Sequence, residues 1–428
     1  MTFCPQAWRQ AQRLLVVPDH AAGSAPAQAG SATASSALAG TDVDSLAERI
    51  RREHAPGSAF ADRGITGPLL KLGCQLLATA GEDHSLRHRA DARRRELVGD
   101  TVTYVLNRNL NPGNRCVLRC GFCAFRRDEA EAGHYRLARP ELLAMAAAAR
   151  AAGATELCLQ GGLDPVTLPA GHALEGAATL LRDLKAAAPG LHLHAFSPQE
   201  LVFIALQDDR PLDQVIERLI DAGLGSVPGT AAEVLVERVR RLICPEKLGA
   251  RAWVAAMLQV HRQGLASTAT LMAGHLEHGP ERVAHLLTLA ALQRHARAQN
   301  HRGFTEFVLL PFVGAAAPAP LRARVARDQP DAGAMLRLTA QARLLLDHWI
   351  VHHQPSWVKL TLPVATEALL WGCDDIGGTL MDEHITTMAG ARGGTSQTPG
   401  ALRQAITSIG RPARQRTTLY GGVAAAAP

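Results

Sequence analysis

Three cysteines within eight residues, Cys116, Cys120 and Cys123 in NRNLNPGNRCVLRCGFCAFRRDE, restrict this chain more than any other stretch of it. Thiolates spaced CxxxCxxC sit on one short loop, so the fold has to present that loop where a metal centre can lodge. Iron–sulfur cubes are ordinarily held by four cysteines. Three supply three corners and leave one iron open to an outside ligand, which is a place to do chemistry. A structural zinc site takes four ligands, usually in CxxC-type pairs, and no second such pair or CxxH follows downstream. Buried structural cysteines are common, yet three so close together among Arg115, Arg119, Arg126 and Arg127 are poor core patterning. Neighbouring cations also favour the thiolate that binds iron. The motif therefore points to a 4Fe-4S cluster on Cys116, Cys120 and Cys123.

A chain of 428 residues exceeds a typical domain, but an α/β barrel absorbs about 250 residues or more as one unit. With 47% hydrophobic and 20% charged residues the composition is globular, and no uninterrupted apolar run reaches the about 18 residues of a membrane span. No membrane partner is expected. The net charge of +6 does not imply nucleic acid, because the arginines are scattered and aromatics are only 4% of the chain. Cys4, Cys74, Cys158, Cys244 and Cys373 are too dispersed for a disulfide framework, which points to a reducing compartment and a cytoplasmic protein. The N-terminus, MTFCPQAWRQAQRLLVVPDH, lacks the apolar segment of a secretory signal; Arg9 and Arg13 without nearby acids leave a transit peptide as the minor alternative.

The tract Ala21 to Gly40 is built of small residues that cannot offset their ordering entropy by burial, and residues 1–65 are expected to be a low-complexity, disordered extension. Residues 66–98 carry leucines at three-and-four spacing and predict N-terminal helices. From 99 to 395 short β-rich runs alternate with Ala/Leu-rich helical runs, the pattern of βα units closing a parallel sheet. The expected strands are Val102 to Asn109, Glu156 to Gln160, Leu191 to Phe196, Leu224 to Val227, Ser267 to Met272, Phe304 to Leu310, Trp357 to Leu360 and Asp375 to Thr379. This predicts an α/β fold, a TIM-type (β/α) barrel with an N-terminal helical extension; an open six-stranded partial barrel is the alternative. Residues 396–428 form a C-terminal helix and tail.

In such barrels the chemistry sits at the C-terminal strand ends. The first strand ends in Asn107, Arg108, Asn109 and Asn111, and the second in Gln160, Gly161 and Gly162, whose glycines let backbone approach a ligand. Period two puts His192, His194 and Phe196 on one strand face, where the histidines are either core residues or functional. Glu306 is a carboxylate on an otherwise apolar face, which is costly unless partnered. Lys359 and Asp375 hold charges in the last two strands and pair with substrate or with each other.

Phe122, an aromatic just before the third cysteine, matches the pattern of radical S-adenosylmethionine (SAM) enzymes. Beyond it, VGDTVTYVLNRNLN, CGFCAFRR, ATELCLQGG, HLHAFSPQE, GLGSVPGTAAEVL, CPEKL, TATLMAGH, FTEFVLLPFV, SWVKL, DDIGGTLMDEHIT and QRTTLY, in order over roughly residues 75 to 420, resemble the FO synthase second-subunit family. The resemblance implies a transferase of deazaflavin (FO) biosynthesis with a 4Fe-4S cluster and SAM as cofactors. In it, one external electron cleaves SAM to methionine and a 5'-deoxyadenosyl radical, which takes hydrogen from L-tyrosine. The hydroxybenzyl fragment then joins 5-amino-6-(D-ribitylamino)uracil. Implied partners are these two substrates, a reduced ferredoxin- or flavodoxin-type donor, and the ring-closing FO synthase subunit.

The same resemblance implies SAM contacts for Phe122, Gly161, Gly162, Ser197 and Glu233. It leaves Asn107, Arg108, Asn109, His194, Thr230, His275, Glu306, Lys359 and Asp375 as catalytic or substrate candidates. For Thr230 a helix cap is an equal reading, since Thr230 to Glu233 has the shape of a capping box. Four places depart from the family pattern: Pro112-Gly113 for an aromatic and a threonine, Asp164 for a histidine before Pro165, Ala273 for a tyrosine, and Gly314 to Ala317 for a polar run. Alternatives are thus a divergent relative with another substrate, a menaquinone-pathway radical SAM enzyme (aminofutalosine or cyclic dehypoxanthinyl futalosine synthase), and, from another class, a non-catalytic Fe–S protein.

Overall fold

The alternation of β-rich and helical runs resolves into β1 Val102–Val105, β2 Asn107–Leu110, β3 Glu156–Leu159, β4 His192–Ala195, β5 Ser226–Val227, β6 Ala266–Ala273, β7 Phe304–Pro311, β8 His353–Pro355, β9 Asp375–Gly378 and β10 Ala413–Arg416. The structure, a computed structural model, describes residues 5–15, 42–58, 67–79 and 81–423. Strands β2 to β8 form one parallel sheet in sequence order, with registers such as Asn107 to Glu156 to His192. Parallel neighbours need long crossovers, and helices such as Arg139–Ala151, Ala173–Ala187, Ala250–Arg262 and Gly279–Ala298 supply them.

The expected TIM-type α/β barrel is present, as a curled seven-stranded parallel sheet with a separate three-stranded parallel sheet, β10-β1-β9, along its seam in place of a closed ring of eight. Two expectations are corrected. The run Val102 to Asn109 is not one strand but two, because β1 is buried at all four positions and joins the small sheet, while the chain re-enters the large sheet at Asn107. Trp357–Leu360 is one helical turn, not a strand. Pro355 ends the ladder, and the Lys359 and Leu360 N–H groups then donate to the Ser356 carbonyl at 3.1 and 2.9 Å.

The seam is closed by polar bonds that no period-two pattern foretells. The Asn107 N–H donates to Thr379 Oγ1 (3.0 Å), whose hydroxyl donates back to the Asn107 carbonyl (2.7 Å). On the other side the His353 N–H and the Arg343 guanidinium each reach Asp374 Oδ1 at 2.8 Å. β9 is thereby tied to both free edges of the large sheet, which is how proteins neutralise unpaired strand edges.

Residues 1–65 are not wholly unstructured: helices Pro5–Leu14 and Val43–His54 lie within them. The tract Ala21 to Gly40 lies outside the described residues. Val43, Leu46, Ala47 and Ile50 recur at helical spacing and are buried, and Asp42 caps the helix by accepting from the Ser45 N–H at 2.7 Å. The Pro5–Leu14 helix covers Ala250–Arg262, with Arg251 over the Trp8 ring at 5.5 Å. Helices Gly67–Ala78 and Asp83–Val98 follow the leucine spacing. Gly73 is required there, since a Cβ would stand 2.5 Å from Val283 Cγ1. Among the described residues no helix is long and apolar enough to cross a membrane.

Candidate active site

The cysteine loop leaves the C-terminal end of β2 and is pinned by backbone bonds. Val117 N–H donates to Leu163 O (3.0 Å), Gly121 N–H to Ile243 O (2.7 Å) and Cys123 N–H to Cys120 O (3.1 Å). Asn114 spans the returning chain by donating to Gly133 O and accepting from Tyr135 N–H, at 2.8 and 3.0 Å. Asp164 clamps the loop through Arg115 at 2.6 Å and Arg136 at 2.8 Å. Burial pushes its carboxyl pKa up, but the Val166 N–H and the two guanidiniums outweigh that and hold it low.

The glycines ending β3 serve this packing directly. A Cβ on Gly162 would lie 1.9 Å from the Arg115 carbonyl and 3.1 Å from Cys116 Cβ, so only glycine lets the loop rest on the strand end. Gly161 N–H points at Glu200 Oε1, 3.3 Å away.

Cys116, Cys120 and Cys123 line one cavity of about 310 Å³ together with Phe122, Gly161, Gly162, Ser197, Glu200, Glu233 and Lys247. That is the size of a small-ligand site. Of the arginines expected to activate the thiols, Arg119 turns to Asp128 at 2.9 Å, Arg115 to Asp164 at 2.6 Å and Arg127 to backbone carbonyls, while Arg126 borders the cavity. The cation beside the Phe122 ring is Lys247, a residue sequence reasoning missed. Its ammonium pairs with Glu233 at 2.7 Å and lies 4.9 Å from the centre of the Phe122 ring. Burial nevertheless pushes the Cys120 thiol up to about 12 against the pull of Lys247, and burial raises Cys116 as well. Loading a cluster therefore releases protons from these sulfurs.

The donor set suits an iron–sulfur cube: three free soft thiols on one pinned loop, all facing one cavity. Among the described residues no three His, Cys, Asp or Glu side chains gather about one point, as a single ion with Zn–S bonds of about 2.3 Å requires. A cube instead takes its thiolates at separate corners. Backbone strain is present here too, for Phe196, Ala231 and Glu233 adopt positive φ of 56°, 68° and 46° without being glycine.

Below this cavity the sheet interior holds a second space of about 190 Å³, lined by Asn107, Glu156, Cys158, His194, Glu306 and Arg416. Asn109, Gln160, Thr230, Lys359 and Glu383 line both spaces and form a waist between them.

Several expected site residues stand elsewhere. Arg108 is outward by strand alternation and reaches Met145 O (3.4 Å) and Asp382 (3.6 Å) instead of the lumen. His275 lines neither space; it contacts Glu277 at 3.1 Å and packs edge-on to Phe312. Asp375 is fully buried and committed to Arg416 and to the Thr103 hydroxyl at 2.6 Å, so it does not meet Lys359. Glu306 faces the lumen but is held by Arg416 (3.0 Å) and the Tyr420 hydroxyl (2.5 Å). His192 and His194 share the Ser226 hydroxyl, each at 2.7 Å.

Two caps change hands. Thr230 starts no helix, since the next one begins at Glu237; it accepts from Gln160 Nε2 at 2.7 Å. Ser197 does cap a helix, Pro198–Gln207, with Glu200 completing the capping box. The SPQE string is its signature, and it also marked Glu200, which the sequence reading passed over.

The radical SAM superfamily model matches residues 110–290, which spans the cysteine loop through β6. A 5-amino-6-(D-ribitylamino)uracil--L-tyrosine 4-hydroxyphenyl transferase from Cyanothece sp. (strain PCC 7425 / ATCC 29141) is 53% identical over 337 residues, covering 78% of this chain and 88% of the relative. One from Gloeobacter violaceus is 54% identical over 341 residues, covering 79% and 86%. In fold the chain is similar to methylornithine synthase (TM-score 0.63, 15% identity, 86% of this chain and 97% of the other). It is likewise similar to the FeFe-hydrogenase maturase HydG from Carboxydothermus hydrogenoformans (TM-score 0.60, 15% identity, 88% and 81%). The cofactors of the superfamily are a 4Fe-4S cluster and SAM. More than half of the aligned residues being identical over most of both chains, this chain belongs to the 5-amino-6-(D-ribitylamino)uracil--L-tyrosine 4-hydroxyphenyl transferase family of the radical SAM superfamily.

Proposed function

We propose that this chain joins the hydroxybenzyl part of L-tyrosine to 5-amino-6-(D-ribitylamino)uracil in FO biosynthesis. The observation that carries the reading is continuity: the cavity of the three cysteines and the glycine strand end runs through a shared waist into a polar lumen. A cofactor above and a substrate below are then within contact, as positioning requires. Cys116, Cys120 and Cys123 ligate the cluster, and when bound the cluster and SAM supply the radical chemistry. Phe122 and the Gly161 and Gly162 backbone border SAM, with Glu233 fixing Lys247 beside them. Ser197 acts indirectly, by orienting Glu200 under the Gly161 N–H. Asn107, Asn109, His194 and Thr230 line the substrate space.

A reduced ferredoxin- or flavodoxin-type protein supplies the electron, and the ring-closing FO synthase subunit consumes the product. Oxygen-sensitive clusters and scattered thiols support a cytoplasmic setting. The test is anaerobic reconstitution with iron and sulfide, then incubation with SAM, dithionite, tyrosine and ribitylaminouracil. Mass spectrometry should find the hydroxybenzyl–uracil adduct and 5'-deoxyadenosine, and Cys120→Ala should yield neither. SAM cleavage without the adduct at saturating substrates would reject the substrate assignment; a nucleoside-derived product would point to the menaquinone-pathway alternative.

A further inference from the structure

The cations lining the two spaces are satisfied by acids of the chain with one exception. Lys247 pairs with Glu233 at 2.7 Å, Arg416 with Glu306 at 3.0 Å and Arg126 with Glu131 at 3.4 Å. Lys359 lies at the waist, and among the described residues no carboxylate stands within the 4.0 Å of an ion pair with it. Glu383 shares the waist but is spent on the Thr386 and Thr387 N–H groups at 2.9 and 3.3 Å. Burial pulls the Lys359 pKa down against the fields of Glu383 and Glu233, as expected for an ammonium whose counter-charge the chain does not supply. A second group at the same level is also unspent: Asn109 Oδ1 is buried without a hydrogen-bond partner. Leaving either in that state costs free energy that a ligand can recover.

An unpaired cation and an unpaired acceptor that line the same two spaces are together complementary to an α-amino acid head group, whose carboxylate seeks the first and whose ammonium seeks the second. The proposed uracil substrate carries hydroxyls and amides but no carboxylate. We propose, on the basis of the tyrosine reading above, that Lys359 and Asn109 are the head-group subsite for L-tyrosine. Lys359 Nζ holds the α-carboxylate and Asn109 Oδ1 accepts from the α-ammonium. The Cα–Cβ bond then lies at the waist, below the SAM cavity, and the phenol ring extends into the lumen.

The experiment is equilibrium binding, by anaerobic calorimetry, to cluster-loaded, oxidised enzyme with SAM present, so that nothing turns over. The unsubstituted enzyme should prefer tyrosine to tyramine, which lacks the carboxylate. Lys359→Gln should weaken tyrosine roughly 10- to 100-fold, as loss of a charged hydrogen bond implies, while changing tyramine less than about threefold on the same scale. Lys359→Arg should recover part of the loss, and SAM affinity should hold. Asn109→Leu should weaken tyrosine but spare 3-(4-hydroxyphenyl)propionate, which lacks the ammonium, and it serves if Lys359→Gln loads its cluster poorly. An unchanged tyrosine-to-tyramine ratio in Lys359→Gln, or a loss confined to SAM, overturns the subsite while leaving the tyrosine reading intact. Failure of the unsubstituted enzyme to bind tyrosine at all overturns both.

Discussion

The mouth of the site and the floor of the lumen are both buried and polar, yet the waist below the mouth leaves a cation unpaired while the cation of the floor is paired twice over. At the floor Arg416 reaches Asp375 and Glu306 together and lies 4.1 Å from the centre of the Tyr420 ring. Tyr420 in turn donates to Glu306 and stacks on His352 at 3.7 Å. At the waist and mouth, Lys359 and Asn109 have no such partners, and the loop is fixed mainly through its backbone. A network that satisfies itself specifies structure, whereas unspent polar groups await a ligand. Glu306 and Asp375 are thus spent on Arg416 at the floor, while the unpaired cation Lys359 lies at the waist.

The mouth is broken most completely at Gly162. Alanine there would place a methyl against the Arg115 carbonyl, a backbone atom that cannot swing aside. Gly162→Ala should cut iron incorporation and SAM cleavage by at least about tenfold, an effect on the order of 1.4 kcal/mol or more, measured by iron assay and 5'-deoxyadenosine release. Normal iron content would show that the loop does not need this contact.

The floor should fail through stability first. Arg416 is almost wholly buried, and replacing it by methionine strands Asp375 and Glu306 without their shared cation. Breaking such a pair costs about 3–5 kcal/mol, read from denaturant unfolding of the metal-free chain. A loss below about 1 kcal/mol would demote the network to surface-like strength.

How legible these regions were follows from their range in sequence. The cysteine loop, the glycines ending β3 and the capping box at Ser197 are local strings whose geometry follows from a few residues. Arg416 meets Glu306 across 110 positions and Thr103 meets Asp375 across 272, and neither pairing leaves a local trace. The same holds for Lys247, whose role exists only because the chain after β5 folds back over the cysteine loop. Arg108 was misplaced for a different reason. Val105, Asn107 and Asn109 keep one parity through the break at Leu106 and line the lumen, so period two turns Arg108 outward although it stands between two inward asparagines.

Acidity separates the two regions further. Burial pushes the Glu306 carboxyl up to about 7, against the pull of Arg416, from the usual 4.5. Folding therefore favours its protonated form, and this group's contribution is full below about pH 4.5 and is lost as pH rises through about 7. Glu306→Gln keeps a neutral side chain and should lack that slope. Its stability relative to the parent should rise between pH 5 and 8 by up to about 1.4 kcal/mol per unit, and a pH-independent difference would refute the assignment.

Ser197 offers the smallest and sharpest test, since it borders the mouth yet is bonded like the floor. Its hydroxyl donates to Glu200 Oε2 at 2.6 Å and its N–H donates to the same oxygen at 2.8 Å. Ser197→Ala removes a helix cap and one of the bonds that hold a buried carboxylate. The cap is worth about 0.5–2 kcal/mol, which thermal unfolding should register. SAM is not touched by that hydroxyl if it is spent on Glu200, so SAM affinity should fall less than about threefold, below about 0.7 kcal/mol. A tenfold loss of SAM affinity with unchanged stability would invert the account, making Ser197 a ligand contact and its capping incidental.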